Sequence, residues 1–418
     1  MFPFGKILAA ILTVLPAVIF NYIFWMVIFI VAMQYTRTAK LQERMYGSAL
    51  RTPLQMTLTS ALYGLAGGVA GSLVFVFLGV TLSGAGIMYV WPLALLLMLF
   101  DARFLCFSYA GGLVALSSLI FGFPKIGVPE LMALVAVLHM IESILIWIGG
   151  DDDPVPVFLK DNAGRLLGGF ALQRFWPIPV IAMMILSSEL PELREMTKGL
   201  IQMPEWWPLI KPSVPIPHDK EVIYAMFAIP AALGYGDVAI SRMPQERSRL
   251  TSRHLMVFSL VLLALSIASA YYAPFKFLAA VFSPVGHEAV IRIGRRTEFE
   301  EPPLFVPPPR GIMILDVVPG MPAARAGFES GDIILSINGE PVNSKADVMR
   351  CLEGPVPHYY IEGIRHTPGG GEKSIVKTLP GNIDRLGMIF VPEPGESFYM
   401  ELMHDGILHR LFRRVRRK

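Results

Sequence analysis

A histidine and a glutamate stand side by side in the segment AVFSPVGHEAVIRIG, residues 280–294, at the end of a long apolar stretch. Membrane zinc proteases carry the motif H-E-x-x-H on a helix, where two histidines bind the metal and the glutamate acts as general base. The position of the second histidine is occupied here by Ile291, which cannot bind a metal. We therefore expect His287 and Glu288 to form a polar contact between helices, and we expect no enzymatic activity.

A second polar pair lies in another apolar segment. The sequence HMIES places His139 and Glu142 three residues apart, on one face of a helix. Ionisable side chains inside a membrane are costly and usually face a bundle interior or a cavity. We expect these two residues to pair with His287 and Glu288, without a bound metal or another cofactor. The alternative is a mixed nitrogen and oxygen metal site, as in a metal-dependent membrane protein or an intramembrane metalloprotease-like protein.

The composition indicates that these residues belong to a membrane protein. Apolar residues make up 54% of the 418 residues and charged residues 17%, whereas soluble domains carry about 25% charged residues. The two cysteines, Cys106 and Cys351, lie in different parts of the chain and form no disulfide framework. The uncharged run from Ile7 to Met33 is longer than the apolar core of a secretory signal, so we expect it to be retained.

Residues 1–293 are predicted to form a polytopic α-helical membrane domain with about eight spans, because one span needs roughly 20 apolar residues. The segments 86–100 and 176–188 are short for a full crossing. Residues 275–291 are interrupted by Pro284 and Gly286 and either re-enter the membrane or cross it. The eight predicted spans are 14–34, 57–82, 86–100, 104–121, 129–149, 176–188, 222–240 and 255–273.

The basic residues predict the orientation of these spans. Residues 36–56 and 241–254 each carry four lysine or arginine side chains, and three arginines follow residue 291 closely. Basic loops stay on the cytoplasmic side of a membrane. We therefore expect a multi-pass protein of the cell membrane whose C-terminal part lies in the cytoplasm.

Four glycines in the span 57–82 form two small-residue pairs, Gly64 with Gly68 and Gly67 with Gly71. Such pairs let helix backbones approach closely. We favour packing within the helical bundle over a dimer face, although a homo-oligomer is not excluded.

A basic and proline-rich linker, residues 294–310, separates the membrane domain from a soluble module. Its segment PPLFVPPP favours polyproline II, which would make a stiff spacer. In the module, Asn338-Gly339 predicts a tight hairpin turn, and Ser344 predicts the N-cap of a helix. The predicted strands are 312–318, 332–337, 358–364, 373–378 and 386–391, and the predicted helices are 322–326 and 344–353.

The module, residues 311–397, resembles a bacterial-type PDZ domain, a small α+β fold. The resemblance rests on Pro319-Gly320, Pro322-Ala323-Ala324, Ala326-Gly327, Gly331-Asp332 and Ile337-Asn338-Gly339. It implies that a peptide is bound as an added strand, with its terminal carboxylate held by backbone amides. The matching carboxylate loop, RLGMIF, comes last, which implies a circularly permuted order. The implied peptide-binding residues are Leu386, Gly387, Met388, Ile389 and Phe390, with Val348, Met349 and Leu352 on the helix as groove or core residues.

The chain ends in a predicted basic amphipathic tail, residues 398–418, which includes ILHRLFRRVRRK. A helix of this kind suits an anionic lipid surface. Nucleic acid is not an expected partner, because no aromatic stacking platform accompanies the basic residues.

A polytopic membrane domain followed by a proline-rich spacer and one C-terminal PDZ module resembles the MinJ-like family of bacterial cell-division topological determinants. The resemblance implies a scaffold at the cell poles and the division septum. It also implies DivIVA-like and MinD-like division proteins as partners, with septum site selection as the process served.

Overall fold

The structure is a computed structural model of the whole chain. It describes residues 1–161, 164–187, 200–213, 222–353, 356–367, 370–381, 385–396 and 400–401. The predicted tail helix, residues 407–418, lies outside the described residues.

Helices make up most of residues 1–149 and nearly all of residues 244–299. Five of them, α2, α3, α7, α8 and α9, are long and apolar enough to cross a bilayer by length and composition. Helix α9 continues through Pro284 and Gly286 without interruption. The bounds are α1 (Phe4–Ile19), α2 (Tyr22–Tyr46), α3 (Pro53–Leu78), α4 (Leu82–Ala85), α5 (Ile87–Met98), a 3-10 turn (Ala102–Leu105), α6 (Phe107–Phe121), α7 (Val128–Gly149), α8 (Pro244–Tyr271) and α9 (Pro274–Phe299).

Two segments that were predicted to be helical spans, 176–188 and 222–240, are β-strands, so that prediction was wrong. The strands are β1 (Val155–Lys160), β2 (Leu166–Ser187) and β3 (Val222–Ala239). Both segments are apolar on every side and therefore lack the periodicity that separates a buried strand from a buried helix. Pro177 and Pro179 were the sequence feature that argued against a helix in 176–188, because two prolines at this spacing disrupt a helix.

Strand β2 pairs with β3 from Phe170 to Ser187, and its other edge lies against the helices. An unpaired strand edge in apolar surroundings leaves backbone N–H groups unsatisfied, at a cost of several kcal/mol each. On this edge Pro177 and Pro179 carry no N–H group, and serine and tyrosine hydroxyls accept from three further residues. The accepting pairs are Phe175 N to Tyr35 Oη (3.1 Å), Ile181 N to Ser72 Oγ (2.8 Å) and Ile185 N to Ser83 Oγ (3.1 Å).

The glycines of α3 allow β2 and α7 to approach this helix closely. A Cβ atom added at Gly64 or Gly68 would overlap the backbone carbonyl oxygens of Pro177 and Pro179 on β2. A Cβ atom at Gly67 would lie 3.1 Å from the side chain of Ile141 on α7. The predicted packing of this glycine stripe within the molecule is therefore confirmed.

One end of the helical bundle contacts the C-terminal module and is here called the module end. The last residue of α2, Tyr46, donates a hydrogen bond from its Oη to Asp316 Oδ2 of the module, at 2.7 Å. Near the start of α8, Arg247 donates to the carbonyl of Gly294 near the end of α9, at 2.9 Å. The end of α2, the start of α8 and the end of α9 thus lie together.

Other contacts define the opposite end of the bundle. The carbonyl of Leu78, the last residue of α3, accepts from Ile210 N at 2.9 Å. Tyr271 Oη, at the end of α8, donates to the carbonyl of Leu209 at 3.1 Å. Helices α2 and α9 therefore run toward the module end, and α3 and α8 run away from it.

The C-terminal module is built on a sheet of order β8-β7-β5-β4-β9. The predicted strands and helices of the module are confirmed, with ends that differ by one or two residues. Asn338 and Gly339 have φ angles of 52° and 82°, and Ser344 Oγ accepts from Asp347 N at 3.1 Å, as predicted. The bounds are β4 (Ile312–Val317), α10 (Pro322–Arg325), β5 (Ile333–Ile337), β6 (Glu340–Pro341), α11 (Lys345–Leu352), β7 (His358–His366), β8 (Glu372–Pro380) and β9 (Met388–Phe390). A last strand, β10 (Met400–Glu401), pairs in parallel with β1 of the N-terminal sheet.

The linker packs against the N-terminal sheet instead of holding the two parts at a distance. Its Phe305 is 1% exposed, and the Phe305 carbonyl accepts from Gly168 N on β2 at 2.9 Å. Met313 and Leu315 of β4 belong to the same apolar core as the sheet and the helices. The module is therefore docked on β1 and β2 through an apolar face.

Candidate functional site

The loop before β9 is shaped by Gly387, whose φ angle is +76°. A Cβ atom at this position would overlap the Cβ atom of Met321. The carbonyls of Leu386 and Gly387 accept from Ala323 N (3.0 Å) and Val318 N (2.8 Å). Within the described part of the chain, the amides of Leu386 and Gly387 donate to no other backbone group. The loop is thus held in place through its carbonyls.

Strand β9 lies at the edge of the module sheet. It pairs antiparallel with β4, with Val317 opposite Met388 and Ile314 opposite Phe390. Among the described strands it has no second neighbour. An edge of this kind can accept one more strand through main-chain hydrogen bonds.

The first turn of helix α11 contacts the segment that follows β9. Lys345 N donates to Glu393 Oε1 at 2.6 Å, and the Lys345 ammonium pairs with Glu396. Of the three helix residues considered from the sequence, Val348 is 2% exposed in the module core, Met349 is 64% exposed, and Leu352 packs partly buried against that core.

A cavity of about 540 Å³ lies beside β9. The three residues of β9, Met388, Ile389 and Phe390, line one wall, and Lys345 and Glu396 line another. The N-terminal part supplies the remaining wall, which includes Phe158, whose ring centroid lies 5.0 Å from Lys345 Nζ. Sequence reasoning missed this wall because its residues are far from β9 along the chain: Arg44, Met45 and Phe158.

The sheet edge is supported by a buried ion pair within the module. Asp332 is fully buried and accepts from Arg365 Nε (2.6 Å) and Nη2 (2.7 Å). These hydrogen bonds raise the pKa of the Arg365 guanidinium above its ordinary value. The pair fixes β7 to the turn that precedes β5.

The predicted intramembrane cluster is only partly brought together. The rings of His139 and His287 lie 5.1 Å apart between centroids. Glu288 is engaged elsewhere, since it accepts from Tyr109 Oη (2.8 Å), Arg292 Nε (2.9 Å) and Arg103 Nη1 (3.3 Å). The partner that sequence reasoning missed is Cys106, which contacts both histidines. A cysteine far from either histidine in the chain forms no recognisable motif with them.

Comparison with known proteins identifies the module. Residues 313–358 match the family model of the PDZ domain. The C-terminal module contains a PDZ domain. The chain is also 22% identical over 244 residues to the cell division topological determinant MinJ of Bacillus subtilis, which covers 58% of this chain and 56% of MinJ. The chain therefore spans about half the length of that curated relative.

Short matches to proteases concern the PDZ region alone, which is a binding domain. A putative zinc metalloprotease of Brucella suis is 50% identical over 42 residues, 10% of this chain and 11% of the relative. The putative serine protease HhoA of Synechocystis is 39% identical over 51 residues, 12% of this chain and 13% of the relative. These matches support shared peptide-binding modules and give no support for proteolysis by this chain.

Proposed function

We propose that this chain is a multi-pass membrane scaffold whose PDZ domain binds a peptide or protein C-terminus as a strand beside β9. The observation that carries the proposal is the edge position of β9 directly after the loop of Gly387. In this proposal the loop amides bind the terminal carboxylate, and the loop and its strand come last in a circularly permuted order.

The proposed side of the PDZ domain is the cytoplasm. The contact between Tyr46 and Asp316 supports it, because the PDZ domain then lies on the side of the basic residues 36–56. The basic start of α8 is at the same end of the bundle, joined to α9 by Arg247 and Gly294. The positive-inside rule places such an end in the cytoplasm.

The proposed process is division-site selection. The support is similarity to MinJ, whose name describes a cell division topological determinant. We propose that the PDZ groove recruits division proteins of the DivIVA-like or MinD-like classes to poles and septa. A fluorescent fusion of this chain should form a septal focus, and its partners should lose their septal focus when the groove is blocked.

Peptide binding should be measured on the full-length chain, because Phe158 and α2 form part of the cavity wall. The probe is a library of fluorescent peptides with apolar C-terminal residues, tested by anisotropy against the protein in lipid nanodiscs. Each peptide is paired with its C-terminally amidated form, which removes the carboxylate charge. Binding that does not weaken on amidation would contradict capture of the carboxylate by the loop.

A matched pair of variants tests the position of the groove. Gly387→Glu places a bulky charged side chain at the head of the groove and should abolish peptide binding. Gly320→Glu is the control, since Gly320 has a similar φ of +78° and no heavy atom within 4 Å of an added Cβ. Equal loss of binding in both variants, or full binding by Gly387→Glu, would exclude the proposed site.

A further inference from the structure

Three metal-binding side chains converge from separate helical segments of the bundle. Cys106 Sγ lies 3.0 Å from His139 Nε2 and 3.6 Å from His287 Nε2. The three candidate ligand atoms all lie within 4.8 Å of one another. We propose that Cys106, His139 and His287 bind a Zn²⁺ ion inside the helical bundle. This site is independent of the PDZ groove.

The fold brings these residues together through close packing of α6 against two neighbours. Gly111 approaches Val135 of α7, whose side chain would lie 3.2 Å from an added Cβ, and a Cβ at Gly112 would overlap Pro284 of α9. Ser283 Oγ donates to the Ser108 carbonyl at 2.9 Å. Cys106 is the N-cap of α6, so this packing presents its thiol to the middle of α7 and α9.

The separations between the ligand atoms fit zinc with a small adjustment. Bond lengths of about 2.3 Å to sulfur and 2.0–2.1 Å to nitrogen, at tetrahedral angles, separate S and N by about 3.6 Å. The distance from Cys106 to His287 already has this value, and that from Cys106 to His139 is 3.0 Å. Lengthening the Cys106–His139 separation by about half an ångström would therefore bring both sulfur–nitrogen distances to this value.

The tautomer of His139 also suits a metal ligand. Its Nδ1 lies 2.8 Å from the Val135 carbonyl, which can only accept a hydrogen bond, so Nδ1 carries the proton. Nε2 is then unprotonated, with Cys106 Sγ at 3.0 Å and Ser108 Oγ at 3.1 Å. In metal-bound histidines, the ring nitrogen that does not bind the metal commonly donates a hydrogen bond to a backbone carbonyl in this way.

Charge balance favours a divalent ion in this position. Binding releases the Cys106 thiol proton to water, so the thiolate contributes one negative charge. Glu142, one helical turn after His139, lies within electrostatic range of all three ligands. Zn²⁺ with one thiolate, two neutral imidazoles and this carboxylate has no net charge, which lowers the cost of burial in apolar surroundings. The fourth zinc position is left for water or for Glu142.

The first test is the metal content of the full-length protein, purified in detergent without chelators. Wild type and Cys351→Ala should contain one zinc per chain, because Cys351 lies in the PDZ domain, whereas Cys106→Ala and His139→Ala should contain almost none. The single peak on size-exclusion chromatography should be retained in all four proteins. Zinc absent from wild type, or equal in all four proteins, would overturn the proposal.

The second test uses the native ligand set and so does not depend on the folding of a ligand variant. In Cys351→Ala the remaining thiol is Cys106, since the chain has two cysteines. N-ethylmaleimide should modify this thiol slowly as purified and much faster after a zinc chelator is added. Adding Zn²⁺ should restore the slow rate. A rate that the chelator does not change would mean that the three residues form only a hydrogen-bonded group.

Discussion

Gly387 is subject to two separate constraints, a left-handed backbone and a crowded neighbour. Gly387→Ala should lower the free energy of unfolding by about 1–2 kcal/mol for the positive φ, and by about 1–3 kcal/mol more for the overlap with Met321. Gly320→Ala should show only the first effect, because an added Cβ there meets nothing within 4 Å. Thermal unfolding of the two variants measures the difference. Equal losses would mean that the loop adapts to a side chain.

At this scale, local chemistry allowed several residues to be predicted. Asn338-Gly339, Ser344 and Gly387 were identified because a turn, a cap and a loop each depend on a few neighbouring residues. Cys106 was not identified, because its relation to the histidines depends on how three helices pack. The same limit applies to Arg44 and Phe158, which reach the PDZ cavity only in the folded protein.

At the scale of elements, the contact between α2 and β4 contains a titratable group. Burial raises the pKa of Asp316, whose carboxylate accepts from Tyr46. When the pKa of an acid is raised in the folded state, the acid makes its full contribution to stability at pH values below its unfolded pKa, about 3.9. This contribution is lost as the pH rises through the raised pKa. Stability measured from about pH 4 to 7 should therefore fall more steeply in wild type than in Asp316→Asn.

Asp347 provides a control of opposite sign. Hydrogen bonds from Ser344 and Asn343 lower the pKa of its carboxyl. Its contribution is present above the ordinary aspartate pKa and is lost as the pH falls through the lowered value. Asp347→Asn should therefore flatten the acid side of the stability profile and leave the region from pH 4 to 7 unchanged. Identical profiles for the two variants would contradict both assignments.

The prolines of β2 give a prediction about the sheet edge. Pro177→Ala should destabilise the protein by at least about 2 kcal/mol, because it adds a backbone N–H group at an edge packed on α3 without an acceptor. Pro274→Ala is the control. Pro274 is exposed at the start of α9, where a backbone N–H group has no partner within the helix whichever residue is present. The control should change stability by less than about 1 kcal/mol. Thermal unfolding in nanodiscs tests both, and a small effect at Pro177 would indicate that water reaches this edge.

The elements themselves were predictable to different degrees. Segments such as 129–149 and 255–273 were predicted correctly as helices, because their apolar runs are long and carry no proline beyond the first helical turn. The segments 176–188 and 222–240 were not, because hydropathy records burial and does not distinguish a strand from a helix. The neighbouring helices make a strand acceptable at that position, α3 through its glycines and Ser72, α2 through Tyr35 and α4 through Ser83.

At the scale of the whole molecule, the alternating directions of the long helices predict the side of each loop. In a Cys351→Ala background, cysteine introduced at Ser48 should react with an impermeant maleimide only after the cytoplasmic side is opened. Cysteine at Ala273, between α8 and α9, should react in intact cells. Both positions are exposed in the folded protein. Labelling of both from the same side would contradict the proposed topology.

The division into a membrane part and a PDZ part could be inferred from composition, since the two differ in hydropathy and in turn chemistry. Their joint packing could not. Phe305 stands among five prolines and looks like part of a spacer, yet it is buried against β2. Three apolar residues, 304–306, among five prolines carry too little sequence signal to predict the burial of one of them.

The last turn of α2, a helix long and apolar enough to cross a bilayer, forms a wall of the PDZ cavity through Arg44 and Met45. A change in bilayer thickness or curvature that alters the tilt of α2 would therefore change the width of the groove beside β9. Peptide affinity should then differ between nanodiscs of short-chain and long-chain lipids, although the peptide never enters the bilayer. The groove would act as a gauge of local membrane shape, and recruitment would depend on where in the cell the protein resides.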